Sequence, residues 1–177
     1  MIKKTVILLI GAVMSISVLT AGCTFNVGTT TPSPSPTNTY DSAKGFTIMY
    51  PSDWTKEEQS TLVLFMTPSN NKTENLNVQV LNLSASDTLA TVTNDVTSNA
   101  QNYDNFTQME ATNTTFAGNP AYKIVYTATV NGDQLKLLQT WTVKDGKAYI
   151  ITYKAAPSNY DTYASAAQQM IDSFKIK

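Results

Sequence analysis

Few residues of this sequence could support acid–base or metal chemistry. It contains no histidine, and its 12 basic residues are all lysines. Ser-His-Asp triads, Cys-His pairs and imidazole zinc sites are therefore excluded, as is a bidentate arginine clamp on a carboxylate or phosphate. Catalysis, if present, would have to use carboxylates or hydroxyl groups alone.

The most prominent acidic group is Asp53, Glu57 and Glu58, which lie close to Trp54. Such a cluster could form a weak Ca²⁺ site or a carboxylate pair acting on a sugar. It lacks the ligand spacing of a calcium loop, and no second acidic cluster is visible. We interpret it as a solvated turn beside a core tryptophan, and we predict no catalytic residue, no metal site and no cofactor.

The single cysteine, Cys23, has the clearest predicted chemistry. Two lysines near the N-terminus precede an apolar run of 14 residues, Val6–Leu19, which suits a signal peptide and is shorter than the roughly 20 residues of a membrane-spanning helix. Leu19–Cys23 resembles a prokaryotic lipobox, although Thr20 stands where leucine is usual. We predict a signal peptide at residues 1–22 and a diacylglycerol-type lipid on Cys23.

An ordinary secretory signal, cut after Ala21 or Gly22, is the alternative interpretation. We favour lipidation because a lone cysteine in an exported protein would otherwise be an unpaired thiol. Residues 23–40 are rich in Thr, Pro and Ser, and Pro32–Pro36 favours extended polyproline II. This segment is predicted to be a tether that holds residues 41–177 at the extracytoplasmic face of the cell membrane.

Alternating and helical patterns divide residues 41–177 into nine elements. Strands are predicted near 45–50, 61–67, 76–83, 106–116, 122–130, 135–143 and 148–154. Apolar residues three and four apart indicate one helix from Leu89 to Tyr103, capped by Ser86, and a second capped by Ser158. The order β-β-β-α-β-β-β-β-α with short links predicts an α+β fold, an antiparallel sheet flanked by helices. The net charge of −1 and the lack of a basic stripe argue against nucleic-acid binding.

Five segments in order resemble the PsbP-type domain: Lys44–Trp54, Gly118–Tyr122, the strand of Trp141, Tyr149–Tyr153 and Met170–Phe174. The resemblance implies an α/β/α sandwich shared with Mog-type nuclear transport factors. Plant PsbP proteins are extrinsic, non-catalytic subunits that help retain ions at photosystem II. None of their ion-contacting residues has a matching position here, so no ion site is carried over.

Two surface features of the domain could bind or carry sugar. The tyrosines with Trp141 could form a carbohydrate-stacking surface, although such residues on alternating strands more often form core and cross-strand pairs. Four sequons begin at Asn71, Asn82, Asn105 and Asn113, and each is a possible glycosylation site. Chance sequons are expected in a chain this rich in Asn and Thr.

These features favour a lipid-anchored, non-catalytic surface module that binds a protein partner as an accessory of a membrane complex. The membrane itself would be contacted through the lipid on Cys23. A small-ligand or glycan-binding surface lipoprotein is the alternative. An enzyme that uses Asp, Glu or a hydroxyl nucleophile is the least favoured hypothesis, since no imidazole is available.

Overall fold

The structure, a computed structural model, describes residues 37–69 and 72–177. The predicted signal peptide, Cys23, most of the tether and Asn71 lie outside the described residues. The described elements, in chain order, are β1 (Thr37–Ser42), β2 (Phe46–Pro51), β3 (Thr55–Glu58), β4 (Leu62–Met66), β5 (Asn75–Asn82), α1 (Leu89–Gln101), β6 (Asp104–Phe116), β7 (Asn119–Val130), β8 (Asp133–Lys144), β9 (Lys147–Ala155), α2 (Tyr160–Ser173) and β10 (Lys175–Ile176).

Seven of the strands form one antiparallel sheet in the order β3-β4-β5-β9-β8-β7-β6. Two-residue turns at Asn131–Gly132 and Asp145–Gly146 join β7 to β8 and β8 to β9. All four turn residues have positive φ angles, between 51° and 90°, as tight hairpins require. The remaining strands form a small sheet in the order β1-β2-β10.

The two faces of the large sheet carry separate apolar cores, because successive side chains of a strand point to opposite faces. On β9, Tyr149, Ile151 and Tyr153 pack with α2 and the small sheet. Ala148 and Ile150 belong to the core beneath α1. The helices therefore cover opposite faces of the sheet, which confirms the predicted α+β class with an antiparallel sheet between helices. In the part of the chain described here, neither helix is long and apolar enough to cross a membrane.

Three short strands were not predicted. β1 begins at Thr37, so the last four residues predicted for the tether pair with β2. β3 has four exposed residues, Thr55–Glu58, and shows no apolar alternation that a pattern could reveal. β10 has only two residues, and it pairs with β2 after α2 has ended.

The predicted helix caps were one or two residues out of place. Thr88, not Ser86, caps α1: its side chain accepts from the Thr91 backbone, and the Thr91 hydroxyl accepts from the Thr88 backbone. Asp87 instead accepts a hydrogen bond from the backbone nitrogen of Ser84, 2.7 Å away. The cap of α2 is Asn159, one residue after Ser158, and its side chain makes no capping bond.

Candidate functional site

An open groove lies between α2 and the outer strands β6, β7 and β8. It forms because α2 contacts chiefly β2 and β9 and leaves the α2 face of the outer strands partly uncovered. We call it the α2 groove; its volume is about 520 Å³. The residues that line it are Thr114, Thr115, Phe116, Ala117, Gly118, Lys123, Leu138, Thr140, Gln168, Ile171, Asp172, Phe174 and Lys175.

The base of the α2 groove is apolar and rigid. Phe116 and Phe174 are almost fully buried, and their rings stack with centroids 4.8 Å apart. Half-buried Leu138 lies beside them on β8. Both rings belong to the buried core on the α2 face of the sheet, and protein cores are close-packed, so the base of the groove is preformed in the folded domain.

The rim of the α2 groove is polar and carries both signs of charge. Lys123 Nζ lies 2.7 Å from Glu110 Oε1 across the β6–β7 pair. On the opposite wall, Gln168 donates a hydrogen bond of 2.8 Å to Asp172, and Lys175 is exposed. Most of the residues that line the groove are polar or charged, so this surface is more polar than a typical small-molecule site. The lining residues include no cysteine, and the hydroxyl of Thr140 already donates to the Tyr122 carbonyl.

A row of buried polar side chains lies on the other face of the sheet, towards α1. Tyr126 donates to Gln139 Oε1 at 3.1 Å, and Gln139 donates to Thr152 Oγ1 at 3.0 Å. Lys154 continues the row on β9 and is only 6% exposed. Its burial lowers the pKa of the amine to about 8, because a buried site disfavours the charged form.

Asn75 lies directly across the strand pair from Lys154. Its side-chain oxygen is buried and has no hydrogen-bond partner. One feature of the sequence could have indicated this polar row. Lys154 lies on the same strand face as apolar Ala148 and Ile150, where a lysine is unusual. The sequence pattern alone predicts no role for Lys154, and a buried amine with a lowered pKa marks a candidate reactive group.

Two of the three carboxylates in the acidic cluster near Trp54 make contacts within the domain, and Asp53 is exposed. Tyr40 of β1 donates a hydrogen bond of 2.6 Å to Glu58 of β3. This bond, helped by the positive charge of Lys44, lowers the pKa of Glu58. Glu57 accepts from Gln59, and Trp54 is buried against Tyr163 with ring centroids 6.0 Å apart. Within residues 37–69 and 72–177, no group of three or more Asp, Glu, His or Cys residues could hold a metal ion.

The larger aromatic residues belong to the cores. Trp141 is fully buried, and its indole nitrogen donates to the Thr93 hydroxyl of α1 at 3.0 Å. Tyr126, Tyr149 and Tyr153 are at most 2% exposed. These side chains therefore cannot form the carbohydrate-stacking surface considered from the sequence.

The described sequons differ in accessibility. Asn82 is exposed at the end of β5, and Asn113 is exposed in the middle of β6. Asn105 has a positive φ of 54° and donates its amide to Thr129 at 3.0 Å, so its nitrogen is already engaged. The structure thus presents Asn82 and Asn113 more openly than Asn105.

One family model and several solved structures match the chain. A family model described as PsbP-like protein matches residues 4–176. A sequence search of curated proteins found no significant match. Cyanobacterial PsbP (CyanoP) from Synechocystis has a similar solution structure, with 20% identity, a TM-score of 0.62 and coverage of 88% of this chain and 98% of that chain.

Two further solved structures share the fold. LpqN of Mycobacterium tuberculosis, which is involved in cell envelope biogenesis, matches at 14% identity and a TM-score of 0.57, covering 83% of this chain and 87% of LpqN. PA94 of Pseudomonas aeruginosa, described as a putative regulator of unknown function, matches at 17% identity and a TM-score of 0.53, covering 75% and 92%. At these identities the likeness concerns the fold alone.

Proposed function

The chain belongs to the PsbP-like protein family, and from that premise we propose that it is a lipid-anchored extracytoplasmic protein. Its domain is non-catalytic and binds a protein partner, as an accessory module of a membrane complex. The PsbP-like family is generally one of non-enzymatic accessory proteins. The anchor, the partner and the lack of catalysis are our proposals for this chain.

The observation that carries the proposal is the extent of the family match. It begins at residue 4 and ends at residue 176, so it includes the apolar leader, Cys23 and the tether together with the domain. A leader of this length suits export, and two lipid chains on one residue give a stable anchor. Placement at the cell envelope is also compatible with LpqN, which shares the fold.

The α2 groove supports the partner-binding part of the proposal. Its stacked aromatic base is preformed because it belongs to the buried core, whereas Glu57 and Glu58 of the Trp54 cluster are engaged in contacts within the domain. A preformed surface costs little conformational entropy on binding. We therefore place the partner contact at this groove.

The test is gentle detergent extraction of the tagged full chain from native membranes, followed by mass spectrometry of the proteins that co-purify. We expect a near-stoichiometric membrane partner. Asp172→Lys reverses a charge on the groove rim and should remove that partner. Asp95→Lys makes the same change on an exposed position of α1 and should leave it bound. A chain that purifies alone, or a partner that both variants retain equally, would contradict the proposal.

A small-ligand or glycan-binding role is the second candidate, and the volume of the groove favours it. About 520 Å³ lies within the range of roughly 300–1,000 Å³ of small-molecule sites. The melting temperature of the full chain, measured with panels of sugars, peptides and metal salts, separates the two roles. A rise with one ligand class that Asp172→Lys abolishes would support ligand binding, and a flat response across the panel would remove it.

A further inference from the structure

The seven-stranded sheet has two edges that differ in length and protection. At one edge, β3 has four residues, and three of them are charged, namely Lys56, Glu57 and Glu58. At the other edge, β6 extends over 13 residues that are nearly all exposed. Among the described residues, β6 pairs with β7 alone. One long row of its backbone donors and acceptors therefore faces solvent.

The features that would prevent β6 from pairing with another chain are confined to its first half. Its first half contains two irregularities of register, between Asp104 and Thr107 and between Gln108 and Glu110. From Glu110 to Phe116 the pairing with β7 is continuous, and this stretch contains no proline, glycine or lysine. Bulges, prolines and lysines are the devices that prevent edge strands from pairing with other chains. The regular stretch has none of them.

We propose that this stretch is a self-association edge: two copies of the chain pair antiparallel through Glu110–Phe116, centred on Asn113. The pairing joins the two seven-stranded sheets into one continuous sheet. A stretch of seven residues pairs completely with its own copy only when its midpoint, Asn113, lies on the twofold axis. In that register Glu110 lies opposite Phe116 of the second copy, and no two like charges are opposed.

The charges of the edge favour a second copy over a basic partner segment. Glu110 is the only charged residue of the stretch, and its carboxylate is already 2.7 Å from Lys123 of its own chain. A basic residue of a partner chain would therefore add little to the charge pairing of Glu110. The other six residues are three threonines with Ala111, Asn113 and Phe116. The proposed register places Thr112 opposite Thr114 of the second copy, and Thr–Thr pairs across strands are favourable.

The twofold axis of such a pair is perpendicular to the sheet, so both copies present the same face in the same direction. The small sheet that begins at Thr37 lies on the α2 face. Tyr40 of β1 contacts Phe65 of β4, and β4 is five positions from β6 in the strand order. The two copies of β1 thus lie on the same face of the joined sheet, which is compatible with anchoring both copies in one membrane.

One pair of seven-residue strands buries less area than the roughly 1,200–2,000 Å² of a stable interface. The pairing therefore depends on the high local concentration that a shared membrane supplies. In this respect the inference rests on the proposed lipid anchor. We expect dimers on the membrane and monomers in dilute detergent solution.

The test is cysteine cross-linking of the full chain in native membranes. Asn113→Cys is compared with Thr115→Cys on the same strand and with Asn99→Cys on α1, and the unaltered chain, whose one cysteine is Cys23, sets the background. Directly opposed residues have Cα atoms about 4.5–5.5 Å apart, within the roughly 4.4–6.8 Å of a disulfide. The two copies of residue 115 would be separated by about 13 Å along the strands.

After mild oxidation we expect the disulfide-linked dimer of Asn113→Cys to exceed that of either other variant by about tenfold, since only this position is within disulfide reach. Equal cross-linking at all three positions, or a cross-link from Asn113→Cys to a different protein, would overturn the inference. Membranes and soluble fraction are analysed from the same cells. A chain that sediments with membranes but gives no dimer at 113 overturns the edge pairing and leaves the anchor intact.

A chain that stays in the soluble fraction overturns the anchor instead. Cross-linking of the same three cysteine variants is then repeated on the purified chain at about millimolar concentration, the effective concentration that a short linkage gives. That experiment tests the edge pairing independently of the anchor. As a second variant, Asn113→Lys places two ammonium groups opposite each other and should abolish the membrane dimer. Asn99→Lys adds the same charge to α1 and should not.

Discussion

Lys154 is the side chain whose charge is most strongly opposed by its surroundings. Its aliphatic stem crosses the α1 face of β9, and Asn75 and Leu137 are its neighbours across the strands. The one charge that favours its protonated form is Asp133, and desolvation outweighs it. A buried charge without a close counter-ion is a cost to the folded state.

This cost predicts how stability varies with pH. The pKa of the Lys154 amine falls from its ordinary 10.5 to about 8 in the folded protein. Between these values the unfolded chain holds a proton that the folded chain lacks, so stability rises with pH from about 8 to about 10.5. Below pH 8 both states are protonated and the full cost is present.

Lys154→Met keeps the length of the side chain and removes the charge. Each tenfold change in proton affinity is worth about 1.4 kcal/mol, so the variant should be more stable at pH 7 by up to roughly 3 kcal/mol. Urea unfolding at pH 7 and at pH 9.5 measures this, and the advantage should shrink at the higher pH. A variant that is less stable than the parent at pH 7 would show that the amine has a partner.

Burial acts in the opposite direction on the tyrosines. It raises the pKa of Tyr160 to about 12 and also raises the pKa values of Tyr126 and Tyr153. Above pH 10 the tyrosines of the unfolded chain therefore ionise first, and stability falls. The stability of the parent chain should reach its maximum near pH 9–10, between the two effects.

At the scale of elements, α1 depends on a cap that the sequence pattern did not identify. Thr88 and Thr91 exchange hydrogen bonds of 2.8–3.3 Å between side chain and backbone, which satisfies two donors at the start of the helix. Ser86 and Asp87 have the residue types of a cap, but Asp87 is used to bind Ser84. Several adjacent polar residues can cap, and the tertiary path of the loop decides which one does.

We expect Thr88→Ala to destabilise the domain by about 1 kcal/mol, the usual effect of removing an N-cap side chain. Ser86→Ala removes a hydroxyl two residues away from an exposed position and should have little effect. Urea unfolding of both variants measures the difference. Equal losses would show that the cap lies elsewhere in the loop.

The end of α2 is fixed by one aromatic residue. Phe174 stacks on Phe46 of the small sheet at 5.0 Å and on Phe116 of β6 at 4.8 Å, and it contacts Tyr149 edge-on. It therefore joins the helix, the small sheet and the edge of the large sheet in one cluster. The apolar spacing of three and four predicts the second helix, but no pattern indicates that Phe174 also shapes the base of the groove.

Phe174→Ala should destabilise the domain by about 3–5 kcal/mol, since it leaves a cavity between three elements. Phe106→Ala removes the same side chain from a half-buried position on β6 and should cost clearly less. Denaturant unfolding followed by tryptophan fluorescence reports both. Comparable losses for the two variants would mean that Phe174 does not have this joining role.

At the scale of the whole molecule, the fold class followed from patterns that are local in sequence. The alternation in β7 to β9 and the spacing of apolar residues in α1 and α2 all predicted elements that the structure contains. The α2 groove could not be predicted in this way. It exists because α2 lies over β2 and β9 and leaves β7 partly open, and such packing between distant segments has no periodic signature. β3 had no periodic pattern either, because all four of its residues are exposed.

The lipid anchor remains a prediction, and it determines how the whole molecule is placed. If Cys23 is modified, the full chain should incorporate an alkyne-labelled fatty acid, and the mature N-terminal peptide should begin at an acylated Cys23. Cys23→Ser should lose the label and retain residues 1–22, because cleavage requires the lipid-bearing cysteine. Thr20→Leu restores the usual leucine of the lipobox and should label at least as well as the parent.

The alternative signal peptide gives a different set of results. An ordinary secretory signal would leave the parent chain unlabelled, with a mature N-terminus after Ala21 or Gly22, and Cys23→Ser would be processed normally. Mass spectrometry of the N-terminal peptide therefore distinguishes the two. Labelled parent chain with an unlabelled, uncleaved Cys23→Ser variant would mean that the domain is held at the membrane by a tether that leads into β1, on the α2 face of the sheet. The β6 edge, which lies at the other end of the strand order from β3, would then be available to a second copy of the chain.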